Sequence, residues 1–192
     1  MTRGRRPAGA TGGNQTSVDP NGVSAAGVAF LARSRAYLAG EYLPKIRAAL
    51  SVMSAADIWW RPNEASNSAG NLVLHLAGNL RQWIVHGVGG RPDVRDRPAE
   101  FATDGGEARE ELLARLAAAV SAADDVLADL DASALHERRL IQGLDVTVLE
   151  AIYHVVEHFA GHTYQIIWIA KARTGRDLGF WRVQGDTATP AW

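Results

Sequence analysis

The segment His154-Val-Val-Glu-His158-Phe-Ala-Gly-His162 sets three imidazoles four residues apart. On a helix such neighbours share a face, with Cβ atoms roughly 5–6 Å apart. Two imidazoles at that spacing can reach one ion at about 2.0–2.1 Å each. All three cannot readily converge, because residues eight apart are separated by about 12 Å along the axis. The helix therefore offers His154 with His158, or His158 with His162. On a wheel of roughly 100° per residue with His154 at zero, Val148, Ile152, Val155, Phe159 and Ile166 centre near ~120°. His162 falls near ~80° and His158 near ~40°, while Glu157 points away. The inward pair is His158 and His162.

A third ligand must come from another helix. His75 lies in Asn71-Leu-Val-Leu-His75-Leu-Ala-Gly-Asn79, bordering the apolar arc of Leu72, Leu76, Leu80 and Trp83. Burying an unpartnered imidazole there would cost free energy. Three nitrogens on one side of an ion leave positions open for water and substrate, the pattern of catalytic metals. All-nitrogen ligation suits zinc or nickel, and also iron or copper, better than magnesium or calcium. A hydrogen-bonded histidine cluster without metal is the other arrangement these residues allow. His154 either supports the ligand pair or is exposed. Asn79 lies one turn from His75 and Gln165 about one turn beyond His162. These amides can orient a water or a substrate carbonyl, or simply bond helix to helix. His86 and His136 lack such company and are read as surface residues.

The run from His154 to His158 also matches the H-x-x-E-H arrangement of some metalloproteases. Those enzymes need a further acidic ligand downstream. After His158 the chain has no Glu, and its only Asp residues, Asp177 and Asp186, lie beyond the helix. The protease is rejected.

The elements that position these groups follow from the apolar spacing. A helix is expected from about Ser24 to Met53, kinked or divided at Pro44. A second starts near Ser66 to Ser68 and runs to about His86, before the Gly-Val-Gly-Gly of residues 87–90. Residues 91–104 read as a loop. A third helix covers about Gly106 to Leu130, with acidic residues in its first turn. A short extended piece around Arg138 to Ile141 precedes a fourth helix, about Val146 to Thr174, closed by Gly175. The expected fold is an all-α, up-down four-helix bundle, its core formed by residues 23–192 and its C-terminal tail packed over one end.

Twenty Lys and Arg against twenty-one Asp and Glu leave a net charge of −1, which offers nothing to nucleic acid or an anionic membrane. No apolar run is long enough to span a bilayer. There are no cysteines, so disulfides, thiolate metal ligands and cysteine nucleophiles are excluded, and any thiol must arrive as a cosubstrate. Arg5 and Arg6 form a twin-arginine pair, but no apolar segment follows directly, so a cytoplasmic location is expected. Residues 1–22 read as a disordered tail.

The motifs Asn67-Ser-Ala-Gly-Asn-Leu-Val-Leu-His75-Leu-Ala-Gly-Asn-Leu-Arg-Gln-Trp83 and Glu150-Ala-Ile-Tyr-His-Val-Val-Glu-His158-Phe-Ala-Gly-His162 resemble the DinB-like, or YfiT-like, superfamily. The resemblance extends from about Val23 to Trp181 and includes Trp59-Trp60-Arg61-Pro62 and Glu100-Phe101. It implies a four-helix bundle, often dimeric, with a metal held by His75, His158 and His162. Members of that superfamily include transferases and isomerases that use mycothiol, bacillithiol or glutathione. The implied function is metal-dependent activation of a low-molecular-weight thiol toward a small electrophile. The alternatives are a non-catalytic, stress-associated metal-binding dimer and a metal-dependent hydrolase. Tyr164 stands where close relatives usually have Gly, which narrows the implied site.

Overall fold

The computed structural model describes residues 25–192; the expected N-terminal tail lies outside the described residues. Among the described residues the chain is mostly helical, with two small strand pairs. A first long helical segment runs as α1 (Ala25–Arg35), a π-helical stretch (Ala36–Tyr42) and α2 (Leu43–Ser51) without a break. Pro44 does not divide it. It sits in the first turn of α2, directly after the π-helical stretch. The wider turn ahead of it absorbs the missing N–H and the ring that would otherwise strain an α-helix.

A short α3 (Ala55–Ile58) leads into α4 (Ala69–Leu80), which continues as a second π-helical stretch (Arg81–Val88). Ser68 opens α4 through a reciprocal cap: its hydroxyl accepts from the Asn71 N–H, while the Asn71 side chain accepts from the Ser68 backbone. Almost every residue of α4 is buried. It packs between α6 (Arg109–Asp129) and α7 (Val148–Thr174), and α2 contacts the same two helices. Phe159, Ile46, Leu50, Leu76, Leu80, Leu112, Leu116 and Ile152 fill the interior.

Residues 91–104 are not simply a loop. Asp96 accepts a hydrogen bond from the Ala99 N–H and Pro98 occupies the first turn, starting α5 (Arg97–Ala102). A Pro in the first turn loses nothing, because its N–H would lack a helical partner anyway.

The expectation of an all-α fold also needs correction. Arg138–Ile141 (β1) pairs antiparallel with Leu144–Thr147 (β2). Gln142 and Gly143 both take positive φ, 54° and 78°, the two-residue turn that suits a twisted hairpin. Thr147 then caps α7 by accepting from the Glu150 N–H, and Gly175 ends the helix in the left-handed conformation at φ 65°. Beyond it the tail forms a second hairpin, β3 (Trp181–Gln184) with β4 (Thr187–Pro190). Trp192 comes back against α2, where the Lys45 ammonium sits 3.7 Å from its ring centre. Among the described residues no helix is long and apolar enough to cross a membrane.

Candidate metal centre

His75 projects from the buried helix α4, and His158 and His162 project from α7 packed against it. One nitrogen from each lies within 4.8 Å of the others. The His75 and His158 Nε2 atoms are 2.9 Å apart. The His162 ring stands 4.4 Å from that of His158 and 5.2 Å from that of His75, edge-on to both.

The supporting contacts set which nitrogen of each ring is free. His75 Nδ1 lies 2.9 Å from Glu100 Oε2. A bare ring nitrogen facing a carboxylate would oppose lone pair to lone pair, so Nδ1 carries the proton and donates it to Glu100. Nε2 then presents its lone pair toward His158. The close approach of Arg95 Nη2 to the same Nδ1, 3.1 Å, is not a second bond, since a protonated Nδ1 cannot accept. It arises because both groups converge on Glu100 Oε2, to which Arg95 Nη2 donates at 2.8 Å. On His162, Nδ1 donates to Gln165 Oε1 at 2.6 Å, which leaves its Nε2 free.

Glu100 is itself held on several sides. Arg95 Nε donates to Oε1 at 2.7 Å, and the pair is almost wholly enclosed. Burial alone would raise the Glu100 carboxyl, but the hydrogen bonds from Arg95 and His75 outweigh it and hold the group below its usual value. Asn71 Nδ2 donates to the carbonyls of Glu100 and Thr103. Arg61 donates to those of Phe101 and Thr103. Arg95 Nη1 reaches Gln82, which in turn bonds Asp93. These contacts clamp α5 and its flanks onto α4, so Glu100 and the Phe101 ring, 4.8 Å from the His75 ring, have fixed places.

Burial pushes His158 down to about 3, helped by the like charges of His162, His75, His154 and Arg95. Burial also lowers His162, against the opposing bond to Gln165. Both imidazoles are therefore neutral near pH 7, the form that binds a metal. The 2.9 Å separation is that of an N–H···N hydrogen bond, a few tenths of an ångström short of the ~3.3 Å between two nitrogens on one tetrahedral ion, so a small opening of the rings suffices to admit a metal. A carboxylate behind the first ring is the usual support for a ligating histidine. The donor set and its surroundings thus fit a divalent transition metal.

Of the other residues singled out, Gln165 reaches the cluster through His162. His154 is half-buried, 4.3 Å from the Trp83 ring and 5.4 Å from that of His158, but outside the group of converging nitrogens. Burial lowers its pKa as well. Asn79 is buried, and its Oδ1 has no partner among the described residues. His136 is exposed, whereas His86 is only partly so and its Nδ1 lies 2.6 Å from the Arg91 carbonyl. Neither Arg95 nor the support that Glu100 gives His75 is marked by the spacing of apolar residues. The available signal was the helix start at Asp96-Arg-Pro, which places Glu100 on an ordered turn.

Over residues 26–183 the chain matches the model of a family described as a protein of unknown function, DUF1572. No curated protein matches it. The match takes in all three histidines and every residue that supports them, and on that footing the chain belongs to the DUF1572 family.

Proposed function

We propose that His75, His158 and His162 hold one divalent transition metal, zinc or nickel foremost with iron as the alternative. On this reading the chain is a metal-dependent enzyme, an up-down four-helix bundle of the DinB-like superfamily that joins a low-molecular-weight thiol to a small electrophile. The observation that carries it is the pair of Nε2 atoms 2.9 Å apart, one of them turned toward the other by the Glu100 carboxylate. A bound divalent ion lowers the pKa of a thiol or water beside it and so supplies a nucleophile at neutral pH.

The chain's own residues do the rest. Glu100 and Arg95 hold the His75 ring, Gln165 holds the His162 ring, and Phe101 covers one side. Three protein ligands leave coordination positions free, which favours turnover over a purely structural ion. The absence of cysteine fits a thiol that arrives from outside, and a cytoplasmic setting would supply such thiols in reduced form. With water in place of thiol, the same centre would be a hydrolase.

The test uses protein loaded with cobalt. Addition of mycothiol, bacillithiol or glutathione should produce a sulfur-to-cobalt charge-transfer band. A reactive electrophile should be consumed only when thiol and metal are both present. No spectral change with any of the three thiols, in protein shown to hold cobalt, would overturn the thiol reading.

A further inference from the structure

A cleft of ≈ 580 Å³ opens between the connection around Pro62 to Asn67, the start of α4 at Leu72, and α7 from Gly161 to Ile169. No histidine lines it, but its lining residues adjoin the histidine cluster. Gly161 precedes His162, Gln165 bonds the His162 ring, and Leu72 lies one turn before His75. Its size is that of a site for a small organic molecule.

Three features describe what it takes. First, none of its lining residues is charged; the polar groups are the neutral side chains of Ser66, Asn67, Gln165 and Tyr164. The nearby Lys45 ammonium, 5.5 Å from the Tyr164 ring centre, is engaged by Glu41 at 2.8 Å and does not line the cleft. A carboxylate or ammonium entering here would shed water without gaining a counterion. Second, Trp168 and Tyr164 are 61% and 54% exposed, two large ring systems one turn apart with little protein over them. They are well placed to stack on a flat apolar body.

The third feature is Gly161. A glycine inside a helix is destabilising relative to Ala, so it needs a reason. At Gly70 and Gly78 the reason is a side chain that fills the space a Cβ would occupy, Trp59 in one case and Glu100 in the other. At Gly161 a Cβ would meet nothing within 4 Å. Packing among the described residues requires neither this glycine nor Gly40 of the first helical segment, but of the two only Gly161 lines the cleft. A side chain there would project into the cleft beside His162, and its absence keeps that space open.

We infer that this cleft binds the electrophilic substrate of the metal centre, and that the substrate is an uncharged molecule with a flat apolar body stacked on Trp168 and Tyr164. The inference rests on the metal reading for the word substrate, but the binding site stands on the cleft alone. A charged thiol such as glutathione is then not the occupant of this space; it approaches the metal from elsewhere.

Two dyes of nearly the same ring system test this on zinc-loaded, full-length protein. N-phenyl-1-naphthylamine is neutral, and 8-anilinonaphthalene-1-sulfonate carries a sulfonate. The neutral dye should bind once per chain with a rise in fluorescence, at least tenfold more tightly than the sulfonate. Gly161→Leu should weaken the neutral dye at least tenfold while raising the melting temperature, and its zinc content should match that of the wild type. Trp168→Ala, a change at an exposed position that the fold tolerates, should weaken the dye in the same direction. Equal binding of both dyes, or neutral-dye binding untouched by both variants, would overturn the inference. Zinc measured on the same samples separates the two readings. Wild-type protein that holds no zinc yet binds the neutral dye at the cleft would overturn the metal reading and support the site.

Discussion

Glu100 Oε1 occupies the space that a side chain at residue 78 would need: a Cβ built on Gly78 lies far inside van der Waals contact with it and 3.0 Å from Arg95 Nε. The glycine on α4 and the carboxylate on α5 are therefore one device. Gly78 lets the Arg95–Glu100 pair lie flat against α4, one turn from His75, where Glu100 accepts the hydrogen bond from His75 Nδ1–H.

This relationship makes two variants informative. Glu100→Gln keeps the shape but loses the charge and one acceptor, so zinc affinity should fall by the ~10–100-fold typical of groups that orient a ligating histidine. Gly78→Ala should do the same by displacing the carboxylate, although alanine in an exposed helix would ordinarily add about 1 kcal/mol of stability. Competition with a coloured chelator measures both. Wild-type affinity in either variant would remove Glu100 from any role in ligation.

The histidines themselves separate by content of bound metal. Protein purified without a polyhistidine tag should carry close to one transition-metal ion per chain. His158→Ala and His162→Ala should each lose most of it, because their nitrogens lie in the converging group. His154→Ala should weaken retention only modestly, since its ring touches His158 and Trp83 without joining that group. His86→Ala and His136→Ala should have no effect. Equal metal content across the series would sink the three-histidine centre, and a silent His162→Ala would move the pair to His154 and His158.

Much of this was legible in the sequence because helices repeat. The four-residue spacing of His154, His158 and His162 and the apolar arc around Phe159 define which two rings face inward, without any knowledge of the neighbours. His75 could be found the same way. Glu100 and Arg95 could not, because they reach His75 from a different element across 25 and 20 residues of sequence. Their placement depends on bonds such as Asn71 Nδ2 to the Glu100 carbonyl, which no periodicity encodes. Pro44 misled for a related reason: a breaker has local force only if the turn before it cannot widen. The hairpin β1–β2 hung on a two-residue turn with positive φ, for which Gln142-Gly143 is a weaker signal than Asn-Gly.

Acid should weaken one identifiable joint. Asp57 caps α3 with Ser54 and also accepts from Arg173 near the end of α7. The Ser54 side chain, then Arg173 and the Ser54 backbone, lower its pKa below the usual 3.8. The contribution to stability is complete above the unfolded value and is lost as pH falls through the lower, folded value. Asp57→Asn should therefore be less stable than the wild type at pH 7, and the gap should close toward pH 3. Urea midpoints at the two pH values measure this. A gap that stays constant would mean that the carboxylate's charge plays no part.

Self-association is the remaining expectation. Leu149 and Tyr153, near the start of α7, are 38% and 62% exposed, and Leu140 and Leu144 on the preceding hairpin are 72% and 55% exposed. Single exposed apolar residues are ordinary, but a gathering of them at one end of a helix marks a surface suited to a partner. Most closed homo-oligomers are two-fold dimers, so a second copy of this chain is the expected partner. Light scattering at micromolar concentration should give twice the chain mass. Tyr153→Lys should shift it to the single-chain mass, since it would place a charge within the contact while leaving the buried core untouched. A wild type that is already a monomer at that concentration would refute the dimer. A dimer indifferent to Tyr153→Lys would move the contact away from this end of α7.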